Sequence, residues 1–194
     1  IKNGPSWVSG PVLSKMSNSS YLNETVNLSS FSNNQLLVNN NLTISGSTFN
    51  GPGYIVANGN ITISSNSTIN GNIFIICNGS LTINSSQAGT GISAPVILYS
   101  KGSASYNSST IYGLIVSKGG SLALDGSSVF GAVLNYSSSF SLRGDTDIIG
   151  SVVSKYSVDF QSDLVSIKKG NIPEFAGLVI GLDPFVVPGS YLEY

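Results

Sequence analysis

Residues 54–63 read YIVANGNITI and residues 74–83 read FIICNGSLTI, with SSNSTINGNI between them. Extending that match in both directions finds aliphatic anchors at Leu37, Ile55, Ile75, Leu98, Ile115, Val133 and Val152, spaced by 18, 20, 23, 17, 18 and 19 residues. A near-constant period over seven units marks a solenoid, in which each unit buries its apolar side chains only by stacking on its neighbours. A second, alternating run follows each anchor: Leu42/Ile44, Ile61/Ile63, Leu81/Ile83, Ala104/Tyr106, Leu122/Leu124, Phe140/Leu142 and Val158/Phe160. Alternation of that kind predicts a strand with one buried face. A third signal closes most units, as STFNG, STING, STIYG, SSVFG and TDIIG.

Three short strands per unit, cornered by Asn-Gly, Asp-Gly or Gly, describe one turn of a three-sided coil. The Asn-Gly steps at Asn58, Asn70 and Asn78 suit corners that need positive φ. Hairpins would use the same dipeptides, but like residues here recur a full unit later and not across a turn. The predicted fold is all-β, a single-stranded parallel β-helix of about seven rungs of 17–23 residues, with a right-handed coil favoured. Residues 36–170 form the solenoid, residues 1–35 an N-terminal flank, cap or exchanged strand, and residues 171–194 a C-terminal cap or partner-binding segment.

Register then defines columns. Asn39, Ala57, Cys77, Ser100, Ser117, Asn135 and Ser154 share one of mostly small residues, so Cys77 reads as an inert, packed thiol. Ser45, Ser64, Asn84, Asn107, Asp125, Arg143 and Gln161 form a corner column, in which Asp125 and Arg143 are expected to pair. Thr43, Thr62, Thr82, Ser105, Ala123, Ser141 and Asp159 face outward from the second strands. Their decay into Ala and Asp reads as ordinary solvation. The anchor strands differ, because the positions flanking the anchors are apolar too, as in Tyr54/Val56, Phe74/Ile76, Ile97/Tyr99 and Leu114/Val116. A strand apolar on both faces is covered on both faces, so one side of the coil needs something against it.

Composition removes several classes of function. Only 9% of residues are charged and the net charge is -1, which disfavours nucleic acid or an anionic membrane surface as a partner. There is no histidine, so His-based catalysis and ordinary zinc sites are excluded, and one cysteine cannot make an internal disulfide. No apolar run approaches the roughly 20 residues of a membrane span, though the Ile1 start points to a trimmed N-terminus. No catalytic residue, metal ligand or cofactor is assigned, and the chain reads as not an enzyme.

Ten Asn-x-Ser/Thr sequons occur, at Asn18, Asn23, Asn27, Asn41, Asn60, Asn66, Asn78, Asn84, Asn107 and Asn135. They are glycosylation candidates in a secreted chain, although an Asn- and Thr-rich repeat also generates sequons by itself. Glycans on Asn84 and Asn107 would crowd one column, where an asparagine ladder is the alternative. The tripeptide RGD at 143–145 and the GTGISA at 89–94 are common strings and read as corner and loop. The 23-residue unit between Ile75 and Leu98 should bulge at 84–95, a position where loops carry binding. A loose calcium position at the DTD of 145–147 is a minor alternative. Tyr99, Tyr106 and Tyr112 are expected to be exposed.

The units GYIVANGNITISSNSTING, GLIVSKGGSLALDGSSVFG and GAVLNYSSSFSLRGDTDIIG resemble bactofilins, polymer-forming proteins whose short-rung solenoids stack end to end. They also resemble the solenoid domain of pilin-like, pilus-tip and adhesin proteins, and the closing VVPGSYLEY is similar to the tail that often ends that group. The resemblance implies a secreted, extracellular structural protein of the cell surface. Such a chain would be a filament or pilus-associated subunit that self-associates, or joins other surface subunits, through strand edges and an apolar solenoid face. Sequon density suits an archaeal surface glycoprotein. Trp7, Tyr54, Phe74, Phe175, Phe185 and Tyr191 are the subunit-contact candidates. The alternative is an adhesin or carbohydrate-binding solenoid with glycans as partners, and less so a glycan-processing β-helix enzyme.

Overall fold

A computed structural model of the chain describes residues 19–170. They form an all-β solenoid of about 8 turns, 59% strand, whose sheets are parallel and stacked. Side one of the coil is seen in Leu42–Ser45, Ile61–Ser64 and Leu81–Asn84, side two in Thr48–Asn50 and Thr68–Asn70, and side three in Gly53–Ala57 and Ile73–Cys77. Side one of every turn joins a single eight-stranded sheet. Sides two and three merge further along, as the continuous strands Thr110–Ser117, Ser128–Asn135 and Asp147–Ser154.

Those long strands bend at Gly113, Gly131 and Gly150, with φ of 153°, 149° and 151°. A Cβ on Gly131 would lie 1.9 Å from the carbonyl oxygen of Gly113, and one on Gly150 only 1.7 Å from that of Gly131. Only glycine lets the rungs close on each other at this corner.

Ile55 stacks on Ile75, Ile75 on Leu98, Leu98 on Ile115, Ile115 on Val133 and Val133 on Val152. The side-one pairs stack likewise, from Leu42/Ile44 to Val158/Phe160. Together these columns make one continuous apolar core. The first anchor needs correction: Leu36, not Leu37, stacks on Ile55, and Val38, not Asn39, heads the small-residue column. Because side chains alternate, a slip of one residue exchanges the faces, and two adjacent leucines hide the slip from a pattern search.

The coil also starts earlier than expected. Ser19–Leu22 pairs with Leu42–Ser45, and Thr25–Asn27 with Thr48–Asn50, so a first turn lies inside the segment read as a flank. Its inward positions include Ser19, which gives little apolar signal. Two single-turn 3-10 segments, Leu28–Ser30 and Ser32–Asn34, follow it, and Leu28 is fully buried. Residues 1–18 and 171–194, with the expectations placed on them, lie outside the described residues.

The corner between sides one and two is held by a buried hydroxyl column of Ser47, Ser67, Ser86, Ser109, Ser127 and Thr146. Ser127 Oγ accepts the Ser109 backbone N–H at 3.1 Å and donates to the Tyr106 carbonyl at 3.0 Å. Ser109 Oγ accepts the Ser86 N–H at 3.4 Å and donates to the Ile83 carbonyl at 3.2 Å. Each hydroxyl thus satisfies a buried backbone group that the turn withdraws from the sheet ladder.

The long unit departs from the column less than expected. Gln87–Ala88 stays in register between Thr68–Ile69 and Thr110–Ile111, so only 89–95 leave it. That loop is closed by Thr90 N–H donating to the Ala94 carbonyl at 3.3 Å and Ala94 N–H to the Gly91 carbonyl at 3.2 Å, with Ile92 exposed.

Candidate functional site

Three surfaces carry the chemistry: asparagine ladders at the corners, the outer face of side three, and the last rung. The ladders follow from register alone, because equivalent corner residues lie one rung apart, about 4.8 Å. Asn50 Nδ2 donates to Asn27 Oδ1 at 2.9 Å and Asn70 Nδ2 to Asn50 Oδ1 at 3.0 Å. A second ladder runs Asn78 to Asn58 at 2.9 Å and Asn58 to Asn39 at 3.3 Å. Asn107 Nδ2 donates to Asn84 Oδ1 at 2.6 Å, the ladder expected as the alternative to stacked glycans.

The sequon asparagines therefore fall into different environments. Asn78 and Asn107 spend Nδ2 in ladders, and Asn135 is 1% exposed with Nδ2 donating to Ser154 Oγ at 2.9 Å. Asn27 and Asn84 are the accepting ends of their ladders. Asn41 and Asn60 are exposed and accept backbone N–H groups of the next rung through Oδ1, both at 2.8 Å. Asn23 and Asn66 are exposed at positive φ, 56° and 59°. Asn18 lies outside the described residues.

On side three, two outward columns are apolar. One runs Tyr54, Phe74, Ile97, Leu114 and Ala132, the other Leu37, Val56, Ile76, Tyr99, Val116, Leu134 and Val153. Tyr54 and Phe74, both contact candidates, are half-buried there with ring centroids 5.0 Å apart. The other contact candidates, Trp7, Phe175, Phe185 and Tyr191, lie outside the described residues.

The last rung is open. Val158–Phe160 pairs only with Ser139–Arg143, and Ser166–Lys168 only with Asp147–Ser154, leaving one edge of each unpaired among the described residues. Phe160 and Ile167 continue the inward columns of Leu142 and Ile148, yet are 57% and 44% exposed. Leu164, between them, is exposed as well.

Several expectations meet a different geometry. Tyr106 is fully buried, since it continues the inward column of Ile83 and Leu124; Tyr99 and Tyr112 are half-buried, and Tyr112 stacks on Phe130 at 4.7 Å. Asp125 and Arg143 are register partners but form no ion pair. Both are exposed, and a solvated pair gains too little to hold two side chains together. The DTD acids are split: Thr146 turns inward into the hydroxyl column, and Asp147 takes Ser166 Oγ as a hydrogen-bond donor, with Lys168 Nζ at 3.7 Å. No group of three or more His, Cys, Asp or Glu side chains that could hold a metal occurs among the described residues.

Inside the column, Cys77 is buried, its Sγ donating to the carbonyls of Gly59 and Ser80, each at 3.2 Å. Burial pushes its thiol up to about 11, against the opposing pull of backbone hydrogen bonds. Burial also raises the Tyr106 hydroxyl, with the nearby Cys77 adding to it. Among the described residues, the hydroxyls of Tyr106, Ser100 and Ser117 have no hydrogen-bond partner. Among the described residues no helix is long and apolar enough to cross a membrane.

No family model, no curated protein and no solved structure matches the chain.

Proposed function

We propose that this chain is a non-enzymatic structural subunit of the cell surface, a filament or pilus-associated component that adds copies end to end and carries glycans on its corners. The observation behind this reading is the open last rung. Parallel strand edges unpaired among the described residues and flanked by exposed Phe160, Leu164 and Ile167 are a template for another strand of the same kind. The first rung offers a matching edge in Thr25–Asn27, paired on one side among the described residues. A contact between the last rung of one copy and the first rung of the next is heterologous, and if its rotation does not close a ring it generates a filament. The sequence resemblance to stacking and pilus-associated solenoids supports the same reading, and the exposed sequons support surface location. Negative-stain electron microscopy of the purified full chain tests it. Filaments formed without any ligand are expected; monodisperse particles at high concentration would overturn it and favour a binding module built on the 89–95 loop.

A further inference from the structure

Basic residues are few and far apart in the sequence, yet the coil gathers half of those described into one line. The corner column that begins as the Asn39, Asn58 and Asn78 ladder continues, one rung at a time, as Lys101, Lys118, Tyr136 and Lys155. Backbone bonds fix that register. Lys118 N–H donates to the Ser100 carbonyl at 2.9 Å, Tyr136 N–H to that of Ser117 at 2.8 Å and Lys155 N–H to that of Asn135 at 2.9 Å. All three lysines are exposed. None of the acids among the described residues, Glu24, Asp125, Asp145, Asp147, Asp159 and Asp163, stands in this column.

Like charges one rung apart, about 4.8 Å, repel, and exposed lysines add nothing to the core. The aromatic residues of this corner are equally out of place for folding alone. Tyr136 and Tyr156 are 40% and 47% exposed, the two exposed tyrosines among the described residues, and both lie here. Lys155 Nζ sits 5.3 Å from the Tyr156 ring centroid, so cation and ring share one patch. On the flank toward side one, Ser80, Ser103, Ser121 and Ser139 form a parallel column of hydroxyl residues. Gly79, Gly102 and Gly119 separate the two columns and place no side chain between them.

We propose that this corner binds an acidic polysaccharide with one carboxylate per sugar, laid along the axis of the coil. The lysines meet the carboxylates, the serine column meets sugar hydroxyls, and the exposed tyrosines take the C–H faces of the rings. Lys101 to Lys155 spans three rung spacings, roughly 14 Å, and the rung spacing is close to the advance per sugar of an extended chain. A single nucleic-acid strand, with a phosphate about every 3.4 Å, outruns the charge this column offers, and three lysines release too few counterions to hold it. The corner runs along the flank of the coil, so the assignment stands or falls separately from end-on assembly.

Isothermal titration calorimetry of the full chain with oligogalacturonate at low ionic strength tests it. Wild-type protein is expected to bind. A Lys101→Gln, Lys118→Gln, Lys155→Gln variant should bind roughly tenfold more weakly or not at all. An Arg143→Gln, Lys168→Gln, Lys169→Gln variant removes the same charge elsewhere and should stay within about twofold of wild type. No binding by the folded wild type, equal losses in the two variants, or equally tight binding of single-stranded oligothymidylate would overturn the proposal.

Discussion

Asn78 Nδ2 donates to Asn58 Oδ1 at 2.9 Å, one rung of a ladder that repeats at three places on the coil. An N-linked glycan is attached through that same nitrogen, so modification and ladder compete. Glycopeptide mapping of the native protein is expected to place glycans on Asn60 and Asn66, which are exposed and, among the described residues, make no hydrogen bond through Nδ2. It should leave Asn107 and the buried Asn135 unmodified. A fully occupied Asn135 in folded protein would contradict this placement.

The hydroxyl column gives a sharper test of the corner. Ser127→Ala removes the acceptor of the buried Ser109 N–H and should cost about 1–3 kcal/mol. Ser128, the next residue, faces outward, and Ser128→Ala should cost less than about 0.5 kcal/mol. Urea unfolding of the two variants measures the contrast, and equal costs would mean that the corner is not built this way.

Glycines at two corners should respond differently. Gly131→Ala meets the Gly113 carbonyl at 1.9 Å and should prevent the folded coil from forming. Gly126 also has positive φ, but its nearest neighbour to a Cβ is Ser108 Oγ at 3.8 Å, so Gly126→Ala should cost only about 1–2 kcal/mol. Thermal denaturation followed by circular dichroism separates them.

Stability should also fall in alkali. Cys77 is pushed up to about 11 in the folded chain, so from its ordinary range near 9 upward the unfolded chain loses the proton first. Stability is then fully present below about 9 and declines as pH climbs toward 11. Tyr106, raised in the same direction, extends the decline. Chemical unfolding at pH 8 and pH 10.5 should show the loss, and Cys77→Ala should flatten it. An unchanged slope in that variant would place the titration elsewhere.

How much of this was readable beforehand varies residue by residue. The stacking of Ile55 on Ile75 was legible because both lie in repeated words bounded by glycine corners. The place of Leu36 was not, because Leu37 beside it gives the same signal for either face. The first turn was hidden by its composition, with Ser19 standing where the next three turns carry Leu42, Ile61 and Leu81. The hydroxyl column sat in plain view as the first letter of STFNG, STING, STIYG and SSVFG, yet serine at a corner reads as solvated until the backbone groups it must satisfy are known. Tyr106 was in the inward pattern, and its polar hydroxyl alone suggested exposure. The last described rung has no sequence signature, since Phe160 and Ile167 look like any other core position until it is seen that no described strand pairs above them.

Sedimentation velocity of the full chain and of a Phe160→Lys, Ile167→Lys variant, compared over a hundredfold concentration range, addresses end-on assembly most directly. Wild-type protein should grow into larger species as concentration rises, while the doubly charged end should hold the variant at one size with an unchanged circular dichroism spectrum. Assembly that persists undiminished in the folded variant would show that the last rung is not where copies meet.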